Sequence, residues 1–253
     1  MKTIARHAAS IGLACFIGAS STLGADITWT GGGDRTNWSN GANWAGTPPG
    51  SSDRAILPDA PSGRSTVVDV PFSGTVQFVR IGQSTTSATQ SISLARELVI
   101  SSNGSTSSGL EYTGVISNPA MIEWDINGNY LRFSSASTGP KVNNLYGTFV
   151  LDTANSRIGT ARFPGTASGD SDTFNFGSGS NLARVNVTAN ASIGRITTGT
   201  TTTNSQRLTT INIGSGSEVN ISNNARLNML QRTRVAANNT NTLKATYRRD
   251  KAK

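Results

Sequence analysis

The sequence predicts an all-β protein built as a right-handed parallel β-helix, and three observations point there. Short segments alternate apolar and polar residues with period two, the mark of strands with one buried face. Clusters of Gly, Asn and Ser divide them, as tight turns require. A nine-residue pattern also recurs, which is the signature of a stacked, repeating architecture. The alternative is a β-sandwich whose hairpins resemble one another by composition.

The chain opens with a secretory signal layout, expected over residues 1–25. Lys2 and Arg6 form a basic head, residues 8–19 are apolar and uncharged, and Ser20 to Ala25 supplies small residues for cleavage after Gly24 or Ala25. The apolar run is too short to cross a hydrocarbon core of ~30 Å as a helix, so no transmembrane segment is expected after cleavage.

Export changes the chemistry available to the mature chain. His7 and Cys15 are its one histidine and its one cysteine, and both leave with the signal. What remains can form no disulfide, no Ser-His-Asp or Cys-His site and no histidine-ligated zinc centre. No cofactor is expected, and nucleotide use is unsupported, since no Gly-rich stretch is followed by the Lys-Ser/Thr of a phosphate loop.

Residues 26–57 hold three of the four tryptophans, Trp29, Trp38 and Trp44, among Asn, Gly and Asp. Two roles are open to them. A solenoid needs an apolar cap on its end, and these indoles would supply one. Exposed indoles would instead stack on sugar rings while Asn43 bonds the hydroxyls, which makes Trp29, Trp38, Asn43 and Trp44 the glycan-binding candidates.

Residues 58–225 carry the strand rhythm. Residues 75–81 alternate as Thr-Val-Gln-Phe-Val-Arg-Ile, residues 91–94 and 98–100 follow, and Ile122, Trp124 and Ile126 fall on one face with Glu123 and Asp125 on the other. The clearest repeat is Phe174-Asn175-Phe176-Gly177-Ser178-Gly179-Ser180-Asn181-Leu182 against Ile211-Asn212-Ile213-Gly214-Ser215-Gly216-Ser217-Glu218-Val219, offset by 37 residues. A second match, Arg184 to Ala191 against Glu218 to Ala225, has an offset of 34, so the copies differ by three residues. Asn between apolar positions predicts side-chain amide ladders satisfying polar groups inside the stack.

Residues 226–253 read as an irregular basic tail. Of the net charge of +8, the signal takes Lys2 and Arg6 and the last ten residues hold a net +4, so the body keeps about +2. A nucleic-acid partner is not expected from so weak a charge.

The opening of the mature part resembles a known group. Ile27-Thr28-Trp29-Thr30-Gly31-Gly32-Gly33, Asn37-Trp38-Ser39, Asn43-Trp44, Pro48-Pro49-Gly50 and Ser52-Asp53-Arg54-Ala55 are similar to the start of secreted bacterial proteins with autotransporter-associated β-strand repeats. The resemblance covers roughly residues 26–57 well and the later repeats loosely. It implies a parallel β-helix at or outside the cell surface and brings no catalytic residues with it. The chain departs from the group in lacking a translocator barrel, an apolar C-terminal anchor and a sorting motif, which suggests a short or truncated member.

Carboxylates are the remaining candidates for chemistry. Glu123 and Asp125 share a strand face roughly 7 Å apart at standard rise, within the range of an inverting glycosidase pair. Asp170 and Asp172 could help bind Ca²⁺. The leading expectation is a secreted or cell-surface structural or adhesive protein without catalysis, contacting surface glycans or other envelope components. A carbohydrate-binding module using the Trp-rich opening comes second, and a polysaccharide lyase or hydrolase third.

Overall fold

The structure is a computed structural model and describes residues 24–101, 109–134, 141–161, 172–196, 209–222, 225–230, 233–237 and 243–245. The expected signal, residues 1–25, lies outside them except for Gly24 and Ala25. The described strands are numbered in chain order and wind through three faces in turn.

Face one carries β1 (Asp26–Thr28), β2 (Arg54–Leu57), β5 (Phe78–Gly82) and β8 (Leu110–Thr113), and above them β11 (Lys141–Leu145), β14 (Asp172–Phe176), β17 (Thr209–Ile213) and β20 (Thr233–Ala237). Face two carries β3 (Arg64–Val68), β6 (Gln90–Leu94), β9 (Ile122–Asp125), β12 (Gly147–Leu151), β15 (Ala183–Val187), β18 (Glu218–Ile221) and β21 (Leu243–Ala245). Face three carries β4 (Thr75–Val76), β7 (Leu98–Ser101), β10 (Tyr130–Ser134), β13 (Arg157–Ala161), β16 (Ala191–Ile196) and β19 (Leu227–Leu230).

Every ladder between successive turns of the coil is parallel, for example β5 on β8, β12 on β15 and β14 on β17. This is a parallel β-helix, and the sandwich of antiparallel hairpins does not occur among the described residues. One strand from each face makes a rung, beginning with β2, β3 and β4.

The core lies inside the coil, filled by columns of side chains in register. On face two Ile92, Trp124, Phe149, Val185 and Val219 stand above one another. The rings of Trp124 and Phe149 are parallel to within 1°, with centroids 6.4 Å apart. Full burial of each such Leu, Ile, Val or Phe contributes about 1.5–3 kcal/mol. A single rung has nothing to bury against, so this stabilisation appears only on stacking. Ile122 departs from the column rule: its neighbours are Gln90 below and Gly147 above.

The repeat offsets are the coil register. Phe174 pairs with Ile211 and Asn175 with Asn212, 37 residues on, while Val185 pairs with Val219 and Asn186 with Asn220, 34 residues on.

Three expectations need correction. Residues 75–81 are not one strand: Gln77 turns the corner between β4 and β5, so Val76, Gln77, Phe78 and Val79 are all buried in sequence, which no single strand permits. Within the tail expected to be irregular, the described residues form β19, β20 and β21, which extend the stack in register on β16, β17 and β18, while residues 246–253, with the basic cluster, lie outside the described residues. An existing strand edge templates short segments whose own alternation is too brief to read. The Asn ladders lie on the outer surface, since each Asn alternates with buried neighbours such as Phe174 and Phe176.

The N-terminal segment seals the first rung. Its strand portions, β1 and β2, already belong to face one, and residues 29–50 fold over the end. Asn37 bridges Val67 as an added edge strand: Val67 N donates to Thr36 O at 2.8 Å and Trp38 N donates to Val67 O at 2.9 Å. The outer edge of β3 is thereby covered rather than left open to pairing.

Candidate ligand-binding groove

The residues singled out as sugar binders are interior. Trp29, Trp38 and Trp44 are 4%, 0% and 3% exposed, and Asn43 is 0% exposed. The indoles pack edge to face, with Trp44 4.8 Å from Trp29 and 5.2 Å from Trp38, and Trp38 5.4 Å from Phe72. Edge-to-face pairing at these distances is favourable for aromatic rings. A sugar needs an open ring face, and none of these rings offers one, so the sugar-platform assignment is corrected to a hydrophobic cap.

Asn43 is the knot of that cap. Its Oδ1 accepts from Gly33 N and Arg35 N, both at 3.0 Å, and its Nδ2 donates to Asp34 Oδ1 at 2.7 Å and Asn37 O at 2.9 Å. Asp34 also accepts from the backbone N–H groups of Thr36 and Asn37. These donors, with the two backbone bonds first, hold its carboxyl well below the usual carboxylate range.

Glu123 and Asp125 do share the outer face of β9. Asp125 Oδ2 accepts from Ser93 Oγ at 3.0 Å, on the neighbouring rung. Asp172 is the first residue of β14, and Asp170 lies outside the described residues. Among the described residues no group of three or more His, Cys, Asp or Glu could hold a metal ion. Nor is any described helix long and apolar enough to cross a membrane.

The structure draws the eye instead to the repeat itself. A groove of about 400 Å³ opens where rungs five and six leave face one, lined by Asn175, Gly177, Ser178 and Gly179 of one rung and Asn212, Ile213, Gly214 and Ser215 of the next. Nearly every lining residue comes from the recurring Asn-x-Gly-Ser-Gly unit.

Its floor is an amide ladder. Asn175 Nδ2 donates to Asn144 Oδ1 at 2.9 Å, and Asn212 Nδ2 donates to Asn175 Oδ1 at 2.8 Å. Each carboxamide has a second N–H beyond the one its ladder bond uses. Thr173 and Thr210, paired in the same ladder, stand on the same outer face two residues earlier.

Glycine lets the corners pack this closely. Gly177 has φ +78°, and a Cβ there would fall 1.9 Å from Ser217 Oγ of the next rung. Ser217 is buried and its hydroxyl accepts from Ala183 N at 2.9 Å. The seventh residue of one nine-residue repeat, Ser217, therefore fills the space left by the fourth residue, Gly177, of the repeat below. Sequence reading found this unit as a repeat but not as a lining, although the shared polar residues between the buried positions were its only signal.

At the end of β14 the corner carries the three extra residues. Ser178 and Asn181 exchange backbone hydrogen bonds of 2.9 and 3.0 Å, closing a small hairpin beside the groove. Burial raises the hydroxyl pKa of Tyr146, which is bonded to the side chains of Asn181 and Ser178.

Elsewhere the outer faces carry paired charges. Arg80 Nη2 lies 2.8 Å from Glu111 Oε2, and Arg54 and Arg80 both approach Asp26. Arg184 pairs with Glu218 on face two. None of the groove residues is charged. In comparisons with protein families, curated proteins and solved structures, the chain matches none.

Proposed function

We propose that the chain is an exported, non-catalytic β-helix that acts by contact, in a structural or adhesive role at or outside the cell surface. The observation that supports this best is the rung-matched outer surface of β14 and β17 on face one, continued by Asn144 of β11. There Thr173, Asn175, Thr210 and Asn212 repeat uncharged hydrogen-bonding side chains at the strand spacing, while the tryptophans and the apolar columns fill the cap and core. Such a surface suits repeated weak contacts better than chemistry at one point.

Export fits the packing around Ala25. Its N–H donates to Asp53 Oδ1 at 3.1 Å, and Arg54 N donates to its carbonyl at 2.9 Å. Cleavage after Gly24 turns that amide into an ammonium facing the Asp53 carboxylate and keeps the bond to Arg54. Cleavage after Ala25 loses both.

The reading is tested by coating beads with the secreted full chain and measuring retention on envelope fragments. Retention above that of beads coated with an unrelated β-helix supports it, and equal retention overturns it. Intact-mass analysis of the exported product should place Ala25 first.

A further inference from the structure

We propose that the groove between rungs five and six binds a linear, neutral polysaccharide laid along the helix axis, its sugar rings in step with the rungs. The proposal rests on the adhesive reading above and names the surface and the ligand class.

Polarity comes first. The lining residues are carboxamides, hydroxyls, glycines and the backbone of a buried Ile213, with no charged group among them. Arg184 and Glu218, on the strands that the two corners lead into, neutralise each other. An acidic sugar would find no cation here, and a cationic ligand no anion. Carboxamides and hydroxyls both donate and accept, as sugar hydroxyls do.

Periodicity comes second. Thr173, Asn175 and Ser178 on one rung are answered by Thr210, Asn212 and Ser215 on the next. Parallel strands are about 4.8 Å apart, close to the length of one hexopyranose in an extended chain. Successive rungs therefore offer equivalent partners at about the spacing of successive sugars, whichever edge each ring turns to the groove. The ladder from Asn144 through Asn175 to Asn212 fixes the amide planes, so the remaining N–H groups of Asn175 and Asn212 are preorganised.

Size comes third. The groove's volume of about 400 Å³ lies in the range of small-ligand sites. No aromatic side chain lines it, so binding comes from repeated hydrogen bonds rather than ring stacking. Affinity must then grow with the number of rungs engaged.

The experiment is titration calorimetry of the secreted full chain with neutral β-1,4-linked oligosaccharides of two to eight units, and with polygalacturonate. Binding is expected to strengthen with length and level off once the ladder is spanned. Polygalacturonate is expected to bind more weakly than the neutral series. Asn212→Ala should weaken binding about tenfold, and Ser215→Trp, which fills the groove from an exposed position, should abolish it. Asn220→Ala breaks the separate Asn186–Asn220 amide pair on face two and should leave binding unchanged. Melting temperatures of all three variants show whether each is folded.

If folded Ser215→Trp binds as well as the parent chain, the groove is not the site. If the parent chain binds no neutral oligosaccharide while its beads still hold to envelope fragments, the ligand class is wrong and the adhesive reading stands. If the beads do not hold either, both fail.

Discussion

The backbone N–H of Ile116 donates to Asn181 Oδ1 at 2.7 Å, joining residues 65 apart in the chain. Leu182 N returns the contact by donating to Ile116 O at 2.8 Å. This pair accounts for the three residues by which the two copies of the repeat differ. The corner of rung four between β11 and β12 is a single residue, Tyr146. The segment after β8 and the hairpin after β14 therefore meet across it. Face one is split at the same level, with β8 and β11 in separate sheets and Tyr146 N donating to Tyr112 Oη at 3.2 Å.

Asn181→Ala removes the side-chain acceptor and leaves the Ile116 N–H without it. Loss of such a partly buried bond should cost about 1–2 kcal/mol. Urea unfolding should show a lower midpoint, with the slope unchanged. An unchanged midpoint would show that the strap adds no stability.

Gly177→Ala should be strongly destabilising because two effects add. Positive φ costs a residue with a Cβ about 1–2 kcal/mol, and the Cβ collides with Ser217 Oγ. Ser217→Ala relieves the collision but not the strain, so the double variant should be more stable than the sum of the single losses predicts. Strict additivity in the four-variant cycle would refute the interlock between the two corners.

All four tryptophans are buried. Emission should be blue-shifted and resist acrylamide quenching until the chain unfolds, and neutral oligosaccharides should leave it unaltered. Trp38→Ala should cost about 3–5 kcal/mol as a core truncation. A sugar-dependent shift in the emission of Trp29, Trp38 or Trp44 would restore the opening as a binding platform.

Acid should loosen the cap first. The folded-state pKa of Asp34 lies below its unfolded value near 3.9, so its contribution is present above that pH and is lost as pH falls through the folded pKa. Asp59, which accepts from Ser84, shifts the same way. Tyr112 is raised by burial, so its contribution is complete below the ordinary tyrosine range and declines as pH climbs above about 10. Asp34→Asn should lower stability at neutral pH and flatten the acid limb of a stability–pH curve. An acid limb as steep as the parent's would rule Asp34 out.

Much of this architecture was written locally in the sequence. Period-two alternation placed Ile122, Trp124 and Ile126 inward, and the offsets of 37 and 34 gave the pairing of rungs five and six before any coordinates. What escaped was set by neighbours distant in sequence. Nothing near Gln77 marks it as a corner, and nothing near Asn181 tells of Ile116. The alternation at Asn175 does imply an outward amide, but its ladder partners are supplied by Asn144 and Asn212 on other rungs. An indole among Gly and Asn looks the same in sequence whether it meets a sugar or another indole. For Trp38 only the arrival of Trp44 and Phe72 decides it.

The Ile116–Asn181 strap also bears on how the coil would yield under force. Tension applied between the two ends of a β-helix peels it from an end, breaking one rung's ladder at a time. A front advancing from the C-terminal side reaches the hairpin of β14 and there must break the strap together with the β11–β14 ladder. Rung five is thus held by more than its own ladder, and the division of face one between β8 and β11 is bridged by a tie that must go before rung four is exposed.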